Sequence, residues 1–162
     1  MKILLCLPAL LFLVSIVSAA PANQQQRLPA NLPAIVQEAI DRNNKDCEAD
    51  EKPVYQRGFL TIRDINGDGK PDYILDYDHF LCGERGGMFC GTGGCQTEIF
   101  ASEEEKGYVQ VWDKLARKVT FLTLNKRPAM RIDIHGTLCG RNGSERCTLT
   151  LYWNGSTFHP AN

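Results

Sequence analysis

The chain has 162 residues, with 18 Lys and Arg against 19 Asp and Glu and a formal net charge of −1. With neither a basic excess nor a basic block, it lacks the electrostatic footprint of a nucleic-acid binder. Its length allows one ordinary domain and excludes large repeat architectures.

The first residues read Met1-Lys2, then an apolar run over 3–17, then Ser18-Ala19-Ala20. A short basic start, an apolar stretch and small residues at a cut site predict a secretory signal over 1–20, cleaved after Ala20. The run is too short for a good membrane span, so no span is expected after cleavage. The destination is therefore secreted or periplasmic, and the terse basic start points to a bacterial exporter. About 140 residues remain, enough to bury a single core. Residues 21–30 are polar and flanked by proline, which predicts a flexible mature N-terminus. Residues 31–162 are expected to form one disulfide-stapled domain.

Leu32, Ile35, Val36, Ala39 and Ile40 fall on one helical stripe. Asn31 can cap that helix, Pro33 suits its first turn, and Asn43 with Asn44 can stop it. Beyond Cys47 the apolar period changes to two. Runs over 59–63, 73–77, 96–100, 108–112, 118–124, 129–135, 147–153 and 156–159 are separated by turn residues, which predicts hairpins. The expected fold class is α+β: one N-terminal amphipathic helix followed by an antiparallel β-meander of about six to eight strands.

Cys6 leaves with the signal. Six cysteines remain: Cys47, Cys82, Cys90, Cys95, Cys139 and Cys147. An even number in an exported chain predicts three disulfides. Cys139 and Cys147 flank a Gly/Asn/Ser turn between β-leaning segments, so they are expected to pair. The other four allow three arrangements, among which the spacing does not choose. Residues 82–95 hold several glycines and cannot form a regular element cheaply, so they read as a loop held by disulfides.

The segment 64–72 reads DINGDGKPD. Side-chain oxygens stand at loop positions one, three, five and nine: Asp64, Asn66, Asp68 and Asp72. Lys70, at position seven, can add its backbone carbonyl. Three crowded carboxylates repel unless a cation sits between them, and an all-oxygen set in an irregular loop suits calcium. The loop is not an EF-hand, since Leu75 occupies position twelve and a β-leaning run follows. With its flanking runs it resembles the FG-GAP/VCBS-type calcium loop, in a single copy over residues 57–77. The resemblance implies side-chain ligation by Asp64, Asn66, Asp68 and Asp72 and carbonyl ligation by Lys70. A chain of this length cannot form the propeller in which such repeats usually occur.

Arg131, Asp133 and His135 alternate along one predicted strand and share a face. They could bind an acidic ligand or do acid–base work, or simply be solvated. No serine elbow or free reactive cysteine is present. The expected function is an exported calcium-binding, non-enzymatic module that binds a protein or cell-envelope ligand. The alternative is a small secreted hydrolase or enzyme inhibitor. It would use the glycine-rich loop between Cys82 and Cys95 and the face of Arg131, Asp133 and His135.

Overall fold

A computed structural model describes residues 25–160. The predicted signal lies outside the described residues. The helix α1 spans Ala34–Asn44. Twelve strands follow: β1 Pro53–Tyr55, β2 Leu60–Arg63, β3 Asp72–Asp76, β4 Phe80–Cys82, β5 Arg85–Gly86, β6 Cys90–Gly91, β7 Gly94–Glu103, β8 Gly107–Ala116, β9 Lys118–Leu124, β10 Arg127–His135, β11 Arg146–Trp153 and β12 Phe158–Pro160. Short 3-10 turns cover Tyr77–His79 and Gly136–Cys139.

This arrangement corrects the α+β expectation of a helix followed by a meander. Among the described residues half are strand and 13% helical, in three sheets with one short helix, so the fold is β-rich. A meander pairs each strand with the next. Here β3 pairs with β7 and β1 with β4, so the chain leaves one sheet, builds part of another and returns. The sheets run β1-β4-β5, then β2-β3-β7-β6 with β8 on β7, then β12-β11-β10-β9. Strands of two or three residues carry no readable period, which is why β1, β4, β5 and β6 escape the pattern.

Most of β3 is buried on both faces. Tyr73 and Leu75 enter a core with Val36, Ala39 and Ile40 of α1 and with Phe59, Tyr77 and Phe80. Ile74, on the opposite face, enters a second core with Ile99, Met130, Ile132, Ile134 and Leu151. The middle sheet is thus covered by the helix on one side and by the β9–β12 sheet on the other. A period-two reading expects one wet face, and that is the physical source of the misjudged class.

The apolar stripe of α1 packs as its spacing implies, but the cap does not. The helix starts after Pro33, whose carbonyl accepts from the amides of Val36 and Gln37, and no side chain caps it. Before the helix, the Gln26 side chain donates to the Leu60 carbonyl at 2.7 Å and accepts from its amide at 3.1 Å. The β9–β10 turn places Asn125 and Lys126 at φ 50° and 63°. Two residues at positive φ belong to the turn whose twist matches the flanking strands.

Three disulfides staple the domain. Cys47 joins Cys82, Cys90 joins Cys95, and Cys139 joins Cys147. Cys139 sits in a 3-10 turn, and the residue opposite Cys147 on β10 is Ile134, so this pair bridges a turn to a strand. Cys90 and Cys95 face each other across the short β6–β7 hairpin.

Candidate metal centre

The acidic loop connects β2 to β3, two strands paired with Arg63 opposite Asp72. That pairing fixes both ends of the loop, and Gly67 and Gly69, at φ 84° and 82°, let it fold back on itself. Asp64 closes one side, with Oδ1 accepting from the Gly67 amide at 2.6 Å and Oδ2 from the Gly69 amide at 2.9 Å. Asn66 accepts from the Asp68 amide at 3.1 Å, and Asp68 Oδ1 accepts from the Lys70 amide at 2.8 Å. These are Asx-type turns, in which short polar side chains satisfy the nearby backbone.

Asp72 is fully buried and Asn66 nearly so. Asp72 Oδ2 accepts from the Ile65 amide at 2.7 Å. Its Oδ1 faces Ser102 of β7, accepting from the amide at 2.7 Å and meeting the hydroxyl at 2.8 Å. Asp68 Oδ2 meets the same hydroxyl at 2.7 Å. Asn66 Nδ2 donates to the Ser102 carbonyl at 2.8 Å and lies 3.3 Å from its hydroxyl oxygen. Ser102 is thus the hub on which Asn66, Asp68 and Asp72 converge, while Asp64 and Lys70 close the outer turn.

A serine hydroxyl carries one hydrogen. It cannot donate a full hydrogen bond to both Asp68 and Asp72, so at one of these short contacts two oxygen lone pairs face each other. Burial works against ionisation of Asp68. The Ser102 hydroxyl, the Lys70 amide, Asn66 and the Lys70 charge outweigh it and hold the carboxyl below its ordinary range. Both oxygens of Asp64, Oδ1 of Asp68 and Oδ2 of Asp72 each accept from one amide and keep a second lone pair. The donor set is all oxygen, with three carboxylates and one amide carbonyl among the side chains, and it fits a hard cation in type and charge.

Among the described residues, Asp78, Cys90 and Cys95 form the one group of three His, Cys, Asp or Glu donors within 4.8 Å of one another. Its two sulfurs are bonded to each other, which removes them as thiolate ligands. The carboxylates of Asp64, Asp68 and Asp72 are not drawn together that tightly.

The other predicted face is only partly assembled. Asp133 accepts from the Thr148 hydroxyl at 2.5 Å and lies 3.7 Å from Arg146 Nε. His135 Nδ1 is 2.7 Å from the Thr137 hydroxyl. His135 lines a pocket of about 480 Å³ with Thr92 and Gly93 of the glycine-rich loop and with Leu115 and Leu138. Arg131 and Asp133 do not line it, so the three residues do not act on one volume.

Two polar centres escape sequence reasoning. Ser102 is one: it is buried, and its partners lie 30 or more residues away, so no local signal marks it. Glu98 is the other. It is 1% exposed and accepts from Asn43 at 2.7 Å, Arg42 at 2.8 Å and Gln110 at 2.7 Å. Asn43 also donates to the Tyr77 hydroxyl, and burial, the largest influence, raises the Tyr77 phenol well above its ordinary range. A glutamate between Thr97 and Ile99 in a strand is the signal that could have found this network, since a charge there must point into one of two covered faces.

Comparison of the chain with family models, with curated proteins and with solved structures finds no match.

Proposed function

We propose that the chain is an exported calcium-binding module that binds a partner and performs no catalysis of its own. The observation that carries this reading is the convergence of Asp68 and Asp72 on the single Ser102 hydroxyl, in a loop that also presents Asp64 and Asn66. A cation shared by these oxygens would relieve the contact that one proton cannot satisfy. Calcium would then be held by Asp64, Asn66, Asp68 and Asp72 with the Lys70 carbonyl, in keeping with the FG-GAP/VCBS-type resemblance. It would supply charge neutralisation and lock β2 to β3.

Export is supported by the predicted signal and by three disulfides, which persist in oxidising compartments. Among the described residues no helix is long and apolar enough to cross a membrane. The hydrolase or inhibitor reading draws support from the pocket that unites His135 with Gly93. It is weakened by the position of Arg131 and Asp133 outside that pocket.

The test is a thermal melt of the oxidised protein in calcium and in chelator, beside Asp68→Ala. At a free ion concentration one hundred times the dissociation constant, binding adds about 2.7 kcal/mol to the folded state. The midpoint should rise by roughly 5–10 °C, and the variant should lose that rise. Identical melts in both solutions would remove calcium from the reading.

A further inference from the structure

The formal charge of −1 hides a segregation along the chain. Residues 25–113 carry nine Lys and Arg against seventeen Asp and Glu, whereas residues 114–160 carry eight against two. The second stretch is the end of β8 and the whole β9–β12 sheet with its turns. The fold therefore sets a basic sheet against an acidic remainder, and an anion approaching in solution is steered to that sheet.

Alternation along the strands decides where these charges point. Met130, Ile132 and Ile134 of β10 enter the second core, so Arg127, Ala129, Arg131, Asp133 and His135 take the outer face. Residues directly opposite one another share a face. Thr120 and Thr150 stand on either side of Arg131, Lys118 and Thr148 on either side of Asp133, and Arg146 is opposite His135. Lys118, Arg127, Arg131 and Arg146 are all exposed. Four cations are thus set against one carboxylate, along roughly 26 Å of strand from Arg127 to His135.

The one carboxylate is already answered. Asp133 accepts from the Thr148 hydroxyl at 2.5 Å and lies 3.7 Å from Arg146 Nε. Among the described residues, the remaining ion pairs belong to Arg42 and Arg85, which are on other elements. Arg127 is steadied without losing its charge: it lies over the Tyr152 ring, 5.3 Å from its centroid, and donates to the Trp153 carbonyl at 3.3 Å. Arg141 adds a guanidinium at the start of β11, donating to the Arg146 carbonyl at 2.9 Å. Arg131 sits between Thr120 and Thr150, whose hydroxyls can each donate and accept.

The spacing selects the kind of anion. Neighbouring cations on the face stand about 8–13 Å apart along and across the strands. Duplex DNA carries a charge about every 1.7 Å, far more densely than this face can match. A single nucleic-acid strand wants aromatic platforms, and the Tyr152 ring on this face lies under Arg127. A lipid surface wants apolar side chains that reach into it, and Leu122, Leu124 and Ala129 are half-buried or buried. Widely spaced cations with hydroxyls between them suit a polymer whose carboxylates are separated by neutral, hydroxyl-bearing units.

We propose that the outer face of the β9–β12 sheet docks an acidic polysaccharide. Its carboxylates sit at Arg127, Arg131 and Lys118, and its sugar hydroxyls meet Thr120 and Thr150. The assignment gives the binding module its partner class; it rests on that reading and is independent of the acidic loop.

The probe is a short oligogalacturonate, with dextran of matched length as the uncharged arm. Binding to the oxidised protein in chelator is followed by amide chemical shifts. The uronate should shift Thr120, Arg131 and Thr150, and its affinity should fall about tenfold between about 20 mM and about 200 mM salt, as exposed charges are screened. Dextran should shift nothing. Lys118→Gln with Arg131→Gln should weaken binding about tenfold, the loss of two exposed charge contacts. Lys45→Gln with Lys52→Gln removes the same charge from the acidic part of the chain and should leave binding unchanged. All four positions are exposed, and thermal melts check that both variants fold. An equal response to dextran, shifts centred on another face, or no shifts at all overturns the proposal, and none of these results depends on a variant. Tighter binding of single-stranded DNA or of phosphatidylglycerol vesicles at equal anion concentration overturns the assignment to a polysaccharide. The calcium melt is read separately. A protein that answers calcium and ignores the uronate keeps the module and loses this ligand. One that binds the uronate in chelator and ignores calcium keeps the ligand and loses the ion.

Discussion

Ser102 grips Asp72 twice, its amide and its hydroxyl both reaching the same carboxylate oxygen at 2.7 and 2.8 Å. The hydroxyl also meets Asp68, so Ser102→Ala removes one group from two carboxylates. In chelator the substitution should cost about 1.5–3 kcal/mol of unfolding free energy, the range for a hydrogen bond to a charged group. In saturating calcium the cost should shrink, because the ion then serves the same oxygens. Denaturant unfolding in both solutions checks this, and an equal loss in each would mean that hydroxyl and ion do not share the site.

Glu98 fastens α1 to the middle sheet through Arg42 and Asn43. Arg42 is more than half exposed, so its ion pair is screened and contributes little by itself. The larger loss in Glu98→Ala comes from the hydrogen bonds that Asn43 and Gln110 also give to this buried carboxylate. About 1–3 kcal/mol should disappear, whereas Arg42→Ala should cost under about 1 kcal/mol. Chemical denaturation of the two variants gives the ranking directly.

The disulfides should rank by the chain they close. Cys47 and Cys82 are 35 residues apart, Cys139 and Cys147 are 8, and Cys90 and Cys95 are 5. Loop-closure entropy assigns roughly 4 kcal/mol to the first and roughly 2–2.5 kcal/mol to each of the others. Paired Cys→Ala variants measured by urea unfolding should follow that order. A Cys90/Cys95 variant weaker than the Cys47/Cys82 variant would mean that the short hairpin bond supports contacts beyond loop entropy.

Gly94 stands at φ 105°, and a β-carbon there would lie 2.1 Å from the Ala116 carbonyl oxygen. Gly94→Ala should cost about 1–3 kcal/mol from overpacking, with further backbone strain. Gly93→Ala meets only ordinary contacts near 3.5 Å and should be nearly silent. Thermal melts of the pair distinguish the two positions.

The loop 64–72 was legible because its ligand-type residues are close in sequence and its glycines announce the turn. Hairpins such as β9 with β10 were legible for the same reason: their period and their turn are both local. What stayed hidden is non-local. Nothing in the run that contains Ser102 says that it will lie beside Asp68 and Asp72, and nothing in β3 says that both of its faces will be covered. The pairing of Cys47 with Cys82 depends on β4 meeting β1, strands too short to carry a period.

β3 places Tyr73 and Leu75 in one core and Ile74 in the other. Neither core can melt while its neighbour stays whole, because each would strip a wall from the other. The domain should therefore open as one cooperative unit, with the amides of Tyr73, Ile74 and Leu75 exchanging with solvent only through global unfolding. Calorimetric and van't Hoff enthalpies should coincide. A ligand in the acidic loop, attached at the first residue of that strand, would slow exchange on both sides of the sheet at once.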